Sequence, residues 1–267
     1  MTANLSDFAA ALAQIAHEAG QLILGHYTGV ISVRAKSDSS PVTLADEEAE
    51  ALLEQRLRAL APGIPIVAEE AMAAGRQPEI GKTFFLVDPL DGTKEFLQRN
   101  GEFTVNIALI EDGNPVCGTV HAPALARAFV GDSRDGMGQA FELAAPPGMP
   151  LDLAAARAIR ARRPPPDGRV AVVSRTHRDS KTEDYLAHYG IARLVAAGSS
   201  LKFCLVATGE ADLYPRHGRT MEWDTAAGHA VLAAAGGSVT QLDGAPFFYG
   251  KTAQAFANPY FLARGRP

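Results

Sequence analysis

The chain has 267 residues, enough for one large domain or two smaller ones with a substantial core. Hydrophobic residues make up 47% and charged residues 21%, an ordinary composition for a globular protein. The net charge of −5 argues against a nucleic-acid-binding surface, which needs clustered Lys and Arg. If such an acidic protein acts on an anionic substrate, bound cations are the direct way to reverse the local sign of charge.

Cysteine usage and hydropathy bear on the compartment. Cys117 and Cys204 lie in separate apolar stretches and indicate neither a disulfide framework nor a thiolate metal site, so a reducing cytoplasm is the simplest setting. The first 24 residues lack the basic leader and unbroken apolar core of a signal peptide, and no other run reaches the length of a membrane span. The oligomeric state and a peripheral association with the inner membrane are left open.

In chain order, the first half is predicted to mix helices and strands. Its predicted elements are a helix at 6–27 capped by Ser6, a polar loop at 36–42, a helix at 43–60, and strands at 64–68, 84–87, 103–110, 115–121 and 126–130. Pro- and Ala-rich sequence from 144 to 166 is predicted to separate two domains. The second half is predicted to alternate strands at 169–174, 194–197 and 211–214 with helices at 181–189, 199–208 and 224–235. The sequence thus predicts an α/β protein, with an α+β domain at 1–166 and an α/β domain at 167–267.

Residues 84–93, Phe-Phe-Leu-Val-Asp-Pro-Leu-Asp-Gly-Thr, form the most informative segment. Four strand-forming residues bring Asp88 to a strand end, where Pro89 is expected to stop the ladder. Asp91 follows, and Gly92-Thr93 forms a tight turn with free backbone N–H groups. Two carboxylates beside such a turn favour a divalent metal that holds a phosphate. A purely structural turn is the weaker alternative.

Other acidic residues could join this site. Glu69 and Glu70 follow the strand at 64–68 and would share an edge with Asp88 if the two strands are parallel, although exposed glutamates are common. Asp224 opens a predicted helix, as an N-cap or as an outward-pointing ligand. Asp46 completes a Thr-x-x-Asp capping box, and on these residues alone the capping role is favoured.

Evidence for nucleophilic catalysis is weak, because the chain has no Gly-x-Ser-x-Gly elbow and its histidines have no metal-binding spacing. Gly198-Ser-Ser-Leu-Lys202 offers a second anion-binding candidate at a helix start. Ser199, Ser200 and Lys202 could bind a phosphate there, and an ordinary helix cap explains the pattern equally well.

Three segments in order resemble the inositol monophosphatase superfamily over nearly the whole chain: Glu69-Glu70, Asp88-Pro-Leu-Asp-Gly-Thr93 and Trp223-Asp-Thr-Ala-Ala-Gly228. Within it, the chain is most similar to bacterial 3′(2′),5′-bisphosphate nucleotidases of the CysQ type. The segments that indicate this are residues 36–46, 91–96, 100–109, 198–204 and 214–216. Glu95 stands where an inositol monophosphatase more often has Asn.

The resemblance implies a layered α/β/α/β/α fold with the site between two parts. It also implies that Glu69, Asp88 and the Leu90 carbonyl hold one Mg²⁺, and that Asp88, Asp91 and Asp224 hold a second. Thr93, supported by Asp46, would orient and help deprotonate the attacking water, and Gly92 and Thr93 would offer backbone donors to the phosphate. After Glu69-Glu70, residues 71–75 replace an acidic, proline-containing loop of close relatives, which puts a third, weak Mg²⁺ in doubt.

The implied reaction is the hydrolysis of adenosine 3′,5′-bisphosphate to AMP and phosphate in sulfur assimilation or nucleotide recycling. 3′-Phosphoadenylyl sulfate is a further implied substrate, and lithium inhibition is expected. The residues proposed to contact substrate, for either phosphate, are Glu69, Leu90, Asp91, Gly92, Thr93, His177, Ser199, Lys202, Arg216 and Asp224.

Arg175 and Arg178 are interpreted as solvated surface. Three alternatives stay open: an inositol phosphate phosphatase, a fructose 1,6-bisphosphatase, and a non-catalytic binding protein on the same fold. An intact metal set argues against the binding protein.

Overall fold

Two β-sheets carry most of the chain. The computed structural model describes residues 5–29, 33–35, 41–175 and 180–267. The described helices are α1 (Asp7–Tyr27), α2 (Leu44–Leu60), α3 (Glu69–Ala73), α4 (Thr93–Leu97), α5 (Ser180–Leu186), α6 (Leu201–Ala207) and α7 (Ala226–Ala234). The described strands are β1 (Val33–Ala35), β2 (Pro41–Thr43), β3 (Ile66–Ala68), β4 (Thr83–Asp91), β5 (Thr104–Glu111), β6 (Asn114–Ala122), β7 (Arg127–Asp132), β8 (Gln139–Ala144), β9 (Arg157–Ala158), β10 (Arg169–Ser174), β11 (Ile191–Ala197), β12 (Leu213–Arg216), β13 (Ser238–Gln241) and β14 (Phe261–Arg264).

The larger sheet has seven strands in sequence order, from β3 to β9. Its first pair, β3 and β4, is parallel, and every later pair is antiparallel. The turn between β5 and β6 is a two-residue hairpin in which Asp112 and Gly113 have φ values of 46° and 78°, as a type I′ turn requires. The smaller sheet has the order β11-β10-β12-β14-β13, parallel at β10–β11 and β10–β12 and antiparallel elsewhere.

The helices complete five layers. α1 and α2 pack on the outer face of the larger sheet, α6 and α7 lie between the two sheets, and α5 lies outside the smaller sheet. Three hydrophobic clusters fill the spaces between these layers. Adjacent residues of β10 divide between two of them, because Val172 faces α6 and α7 while Ala171 and Val173 face α5. The predicted α/β/α/β/α fold is confirmed.

Glycines let α7 lie close to the larger sheet. Gly118 on β6 and Gly131 on β7 are paired across the strands, and Gly138 immediately precedes β8. A methyl group added at Gly131 would lie 2.6 Å from the Ala230 carbonyl oxygen, and one at Gly118 would lie 2.8 Å from the Ala230 methyl group. Only glycine permits this close approach.

Several predicted boundaries are wrong. Pro41 and Val42 belong to β2, which pairs with β1, rather than to a loop. Strands β1, β8, β9, β13 and β14 are not in the prediction. All but β8 have four residues or fewer, too few for a periodic pattern to identify. β9 lies inside the predicted interdomain region and pairs with the edge of β8.

The strands of the larger sheet lie within residues 66–158 and those of the smaller sheet within 169–264. The division into domains at residue 166 stays a prediction. Among the described residues, no helix is both long and apolar enough to cross a membrane.

Candidate active site

The end of β4 carries a β-bulge at the predicted motif. Asp88 pairs with Asn106 of β5 and Asp91 pairs with Thr104, so β4 has one extra residue between them. The ladder therefore continues past Pro89, and the prediction that this proline ends it is wrong, because a bulge is one of the few places in a sheet that accepts proline. The buried Asp88 carboxylate accepts a hydrogen bond of 3.0 Å from the Leu90 N–H. Gly92, with φ of 94°, then turns the chain into α4.

Three carboxylates from distant parts of the chain meet beside this bulge. One oxygen from each of Glu69, Asp88 and Asp224 lies within 4.8 Å of the other two. Glu69 reaches the cluster because β3 and β4 are parallel and end at the same edge of the sheet. The sequence predicts this shared edge if the two strands are parallel. Asp224 lies in the turn before α7, where its Oδ2 accepts a hydrogen bond of 2.8 Å from the Met221 N–H. It does not cap the helix, since α7 begins at Ala226 with Thr225 as the N-cap.

The electrostatics of this cluster fit a hard cation. Burial raises the pKa of Asp224 well above its ordinary value, and the nearby charges of Asp91 and Glu69 raise it further. Carboxylate oxygens that are crowded and partly desolvated are stabilised by a divalent ion, and Mg²⁺ prefers oxygen ligands. The residues present therefore fit a magnesium site.

Asp91 lies beside the cluster and outside the group of three. Its Oδ2 accepts hydrogen bonds from the Ser200 N–H at 2.6 Å and from Asn106 Nδ2 at 3.2 Å. Burial raises the pKa of Asp91, and the Lys202 ammonium opposes that shift. These bonds tie the end of β4 to the start of α6 in the other half of the chain.

Asn106 and Ser200 connect the carboxylates. Asn106 is not among the predicted site residues, and Ser200 is a candidate only for binding phosphate at the start of α6. Asn106 Nδ2 also donates to Ser200 Oγ at 2.9 Å, and that hydroxyl donates to the Asp224 carbonyl oxygen at 2.5 Å. Both side chains are buried. The signal in the sequence is an Asn in the middle of an otherwise apolar strand, since a buried amide needs partners.

Asp46 makes two sets of contacts, one with each carboxylate oxygen. Its Oδ2 accepts from the N–H and hydroxyl of Thr43 at 2.8 and 2.6 Å, which forms the predicted capping interaction. Its Oδ1 faces the Thr93 hydroxyl at 3.4 Å, and that hydroxyl also lies 3.3 Å from the Leu90 carbonyl oxygen. The first turn of α2 is thereby linked to the turn that follows the bulge.

A cavity of about 600 Å³ contains most of the predicted site residues. Those that line it are Glu69, Asp88, Leu90, Asp91, Gly92, Thr93, Ser199, Lys202, Arg216 and Asp224. Asp46 reaches the cavity through Thr93, and His177 lies outside the described residues. Lining residues that are not predicted include Lys94, Tyr214 and Arg219.

Two buried cations, Lys202 and Arg216, also line the cavity. Lys202 Nζ donates to the Ser199 carbonyl oxygen at 2.5 Å and lies 5.3 Å from the centre of the Tyr214 ring. Burial lowers the pKa of Lys202 to about 8, a shift that the Asp91 carboxylate opposes. Arg216 is 9% exposed, and among the described residues its Nε has no hydrogen-bond partner. A buried guanidinium nitrogen in this state favours an anionic ligand in the cavity.

Arg175 is exposed, as the sequence interpretation expects, and it also forms an ion pair. Its Nε and Nη2 donate to the two carboxylate oxygens of Glu102 at 2.8 and 2.7 Å. The sequence does not reveal this partner, because Glu102 lies 73 residues away and only the fold brings it near. Arg178 lies outside the described residues.

Comparisons with known proteins agree with this geometry. A sequence model described as the inositol monophosphatase family matches residues 4–265. The chain is 43% identical over 250 residues to the 3′(2′),5′-bisphosphate nucleotidase CysQ of Escherichia coli K12, covering 93% of this chain and 96% of that protein. It is 34% identical to the crystal structure of CysQ from Bacteroides thetaiotaomicron, with a TM-score of 0.78 and 97% of each chain covered. The inositol monophosphatase structure from Thermotoga maritima is 25% identical, with a TM-score of 0.75, 94% of this chain covered and 89% of that one.

Proposed function

Because this chain belongs to the inositol monophosphatase family, we propose that it is a magnesium-dependent phosphatase that removes the 3′-phosphate of adenosine 3′,5′-bisphosphate. The products would be AMP and phosphate, and 3′-phosphoadenylyl sulfate is a second proposed substrate. The observation that carries the proposal is one cavity lined both by the three clustered carboxylates and by the buried cations Lys202 and Arg216. We assign the scissile phosphate to the carboxylates and the second phosphate to the cations. The name of the 43% identical relatives supports the same substrate class.

Glu69, Asp88 and Asp224 would hold Mg²⁺, with Asp91 and the Leu90 carbonyl as further proposed ligands and two or three ions per site. Bound Mg²⁺ supplies positive charge for the phosphate oxygens and lowers the pKa of water. The chain's own contribution is to hold these oxygens in a buried, preorganised cluster. Asn106 and Ser200 keep Asp91 and the Asp224 backbone in place through their hydrogen bonds.

Thr93 and Asp46 are proposed to position the attacking water. When the Thr93 hydroxyl donates its proton to Asp46 Oδ1, the threonine oxygen keeps lone pairs that can accept a hydrogen bond from water. Thr43 holds the other oxygen of Asp46 and so orients this carboxylate toward Thr93. This pair would orient the water and draw off its proton as the bond to phosphorus forms. Gly92 and Thr93 at the start of α4 are the proposed backbone donors to the phosphate.

The non-scissile phosphate is proposed to bind Ser199, Lys202 and Arg216. Within the part of the chain that the structure describes, the buried Nε of Arg216 has no hydrogen-bond partner. Lys202 is an ammonium whose pKa of about 8 leaves it mostly protonated at neutral pH. A phosphate would stabilise both charges. His177 stays a candidate from the sequence alone. The proposed partner is thus a small nucleotide rather than a nucleic acid.

We also propose a cytoplasmic location, which the buried free thiols of Cys117 and Cys204 support.

The test is phosphate release from adenosine 3′,5′-bisphosphate and from inositol 1-phosphate under identical conditions with Mg²⁺. We expect the nucleotide to be preferred by at least two orders of magnitude in kcat/KM, about 2.7 kcal/mol in transition-state binding. Equal or reversed rates would contradict the proposed substrate, although the chain would still be a metal-dependent phosphatase. Asp91→Asn should abolish turnover of both substrates, and a binding protein would instead keep its cellular role in that variant.

A further inference from the structure

The turn at residues 198–202 is held from two sides. On the inner side, the Ser200 N–H donates to Asp91 at 2.6 Å. On the outer side, the Gly198 N–H donates to Glu102 Oε2 at 2.9 Å. Ser199 between them has φ of 47°, a left-handed conformation that costs a non-glycine residue about 1 kcal/mol. The hydrogen bonds on both sides are what maintain this conformation.

Glu102 joins the two halves of the chain at this point. It lies between α4 and β5, and its carboxylate accepts from Gly198 and, through both oxygens, from Arg175. Arg175 Nη2 also donates to the Ala196 carbonyl oxygen at 2.9 Å, which bonds the same arginine to the end of β11. One carboxylate therefore bonds to the residue that follows β10 and to the residue that follows β11.

The backbone is closely packed at this point. A methyl group added at Gly198 would lie 2.7 Å from both the Glu102 carbonyl oxygen and Cγ of Glu95. Residue 198 therefore has no room for a side chain beside α4 and the segment between α4 and β5. Together with the Glu102 hydrogen bond, this contact determines how far Ser199 and Lys202 lie from the carboxylate cluster.

We propose that Glu102 is a positioning residue that sets the selectivity for substrates with a second, non-scissile phosphate. Glu102 does not line the cavity, so it acts through Gly198 on the residues that do, Ser199 and Lys202. This inference rests on the proposed function, in which the 198–202 turn binds the non-scissile phosphate. Arg175 serves by balancing the Glu102 charge and does not bind substrate.

Three variants separate the contributions. Glu102→Ala removes the acceptor for the Gly198 N–H and the ion pair together. Glu102→Gln keeps one acceptor oxygen for the Gly198 N–H, and it loses the charge and the second acceptor oxygen that Arg175 Nη2 uses. Arg175→Ala loses the ion pair and leaves the Gly198 hydrogen bond in place.

The matched control is Glu210→Gln. Glu210 accepts from Arg127 of β7 at 2.7 Å, so this pair also joins the two halves, but it lies beyond the opposite end of α6. The variant loses a cross-half ion pair without touching the 198–202 turn.

The measurement is kcat and KM for adenosine 3′,5′-bisphosphate and for adenosine 3′-monophosphate, which has the same scissile group and no second phosphate. We expect Glu102→Ala to raise KM for the bisphosphate about tenfold, as the loss of a hydrogen bond to a charged group predicts, with kcat and the monophosphate constants within about twofold. Glu102→Gln should raise KM for the bisphosphate much less than Glu102→Ala does. Arg175→Ala should show a smaller effect, and Glu210→Gln should match the wild type.

The inference is overturned if Glu102→Ala leaves the ratio of kcat/KM for the bisphosphate to kcat/KM for the monophosphate unchanged. It is also overturned if Arg175→Ala has the largest effect or if Glu102→Ala tightens bisphosphate binding, since Arg175 would then be the phosphate ligand. A wild-type enzyme that does not prefer the bisphosphate contradicts the proposed substrate itself. That failure is visible before any variant is made.

Discussion

Replacing Gly131 with alanine tests whether the close packing of α7 controls the site. The added methyl group would lie 2.6 Å from the Ala230 carbonyl oxygen and from Val231 Cα, whereas ordinary contact begins at 3.4 Å. The helix must therefore retreat by about 0.8 Å, because both contacts are backbone atoms that cannot rotate away. Overpacking of this kind costs about 1–3 kcal/mol. In a chain of this length, about 2 kcal/mol lowers Tm by roughly 4–8 °C.

The same displacement should reduce activity, because Asp224 lies two residues before α7 begins. A misplacement of about 1 Å at a catalytic group can reduce the rate by about a hundredfold, so we expect kcat to fall by about tenfold or more. The assays are thermal unfolding followed by circular dichroism and phosphate release with Mg²⁺.

Gly25→Ala is the matched control for this substitution. It makes the same chemical change inside α1, where an added methyl group has no neighbour within 4 Å, and it should stabilise the protein by about 0.5–1 kcal/mol with unchanged kcat. A Gly131→Ala protein with the wild-type Tm and kcat would refute the reasoning, since α7 would then not be rigidly seated on the sheet.

Three further predictions concern buried charges. Burial raises the pKa of Asp224, and the charges of Asp91 and Glu69 raise it further, so Asp224→Asn removes the cost of burying this charge. Tm measured with a chelator present should therefore rise while activity falls at least a hundredfold; a lower Tm would contradict this. Glu222→Gln should cost about 2–4 kcal/mol in urea unfolding, because the fully buried carboxylate accepts from two backbone N–H groups and pairs with a lysine ammonium at 2.7 Å. Asp112→Asn, at an exposed lysine pair, should cost less than about 0.5 kcal/mol, and equal losses in the two variants would refute the burial argument. Burial lowers the pKa of His121 to about 3, with His17 as a second cause. Between pH 6.5 and about 3 the unfolded chain therefore binds a proton that the folded protein does not, and the free energy of unfolding decreases as the pH is lowered. His121→Leu should therefore flatten the pH dependence of urea unfolding below pH 6 by about 1.4 kcal/mol per pH unit, whereas parallel curves would show that this proton is not linked to folding.

Predictions that depend on neighbouring residues are accurate. Ser6 caps α1 by accepting from the Ala9 N–H, and Asp112-Gly113 forms the hairpin turn between β5 and β6. The strand at 169–174 has the predicted bounds. For the cap and the turn, all the groups that determine the conformation lie within a few residues of one another in the sequence.

Errors occur where a distant segment decides the conformation. Pro89 stays within β4 because β5 accommodates a bulge there, and nothing near Pro89 in the sequence reveals that partner. The ion pair of the exposed Arg175 is likewise missing from the sequence interpretation, because Glu102 approaches from the other half of the chain. Strands β13 and β14 are only four residues long, too short for a periodic pattern to identify.

The sequence by itself determined the chemistry available to this protein: acidic residues at strand ends, a turn suited to phosphate, and a lysine at the start of α6. These depend on residue type and local spacing, which the chain carries without folding. Only the tertiary structure decided that Glu69, Asp88 and Asp224 share one cluster and that Asn106, Ser200 and Glu102 hold its surroundings. The physical reason is that strand register and the packing of α7 on the larger sheet arise from burial summed over the whole chain. The same local segments are compatible with many arrangements until that burial selects one.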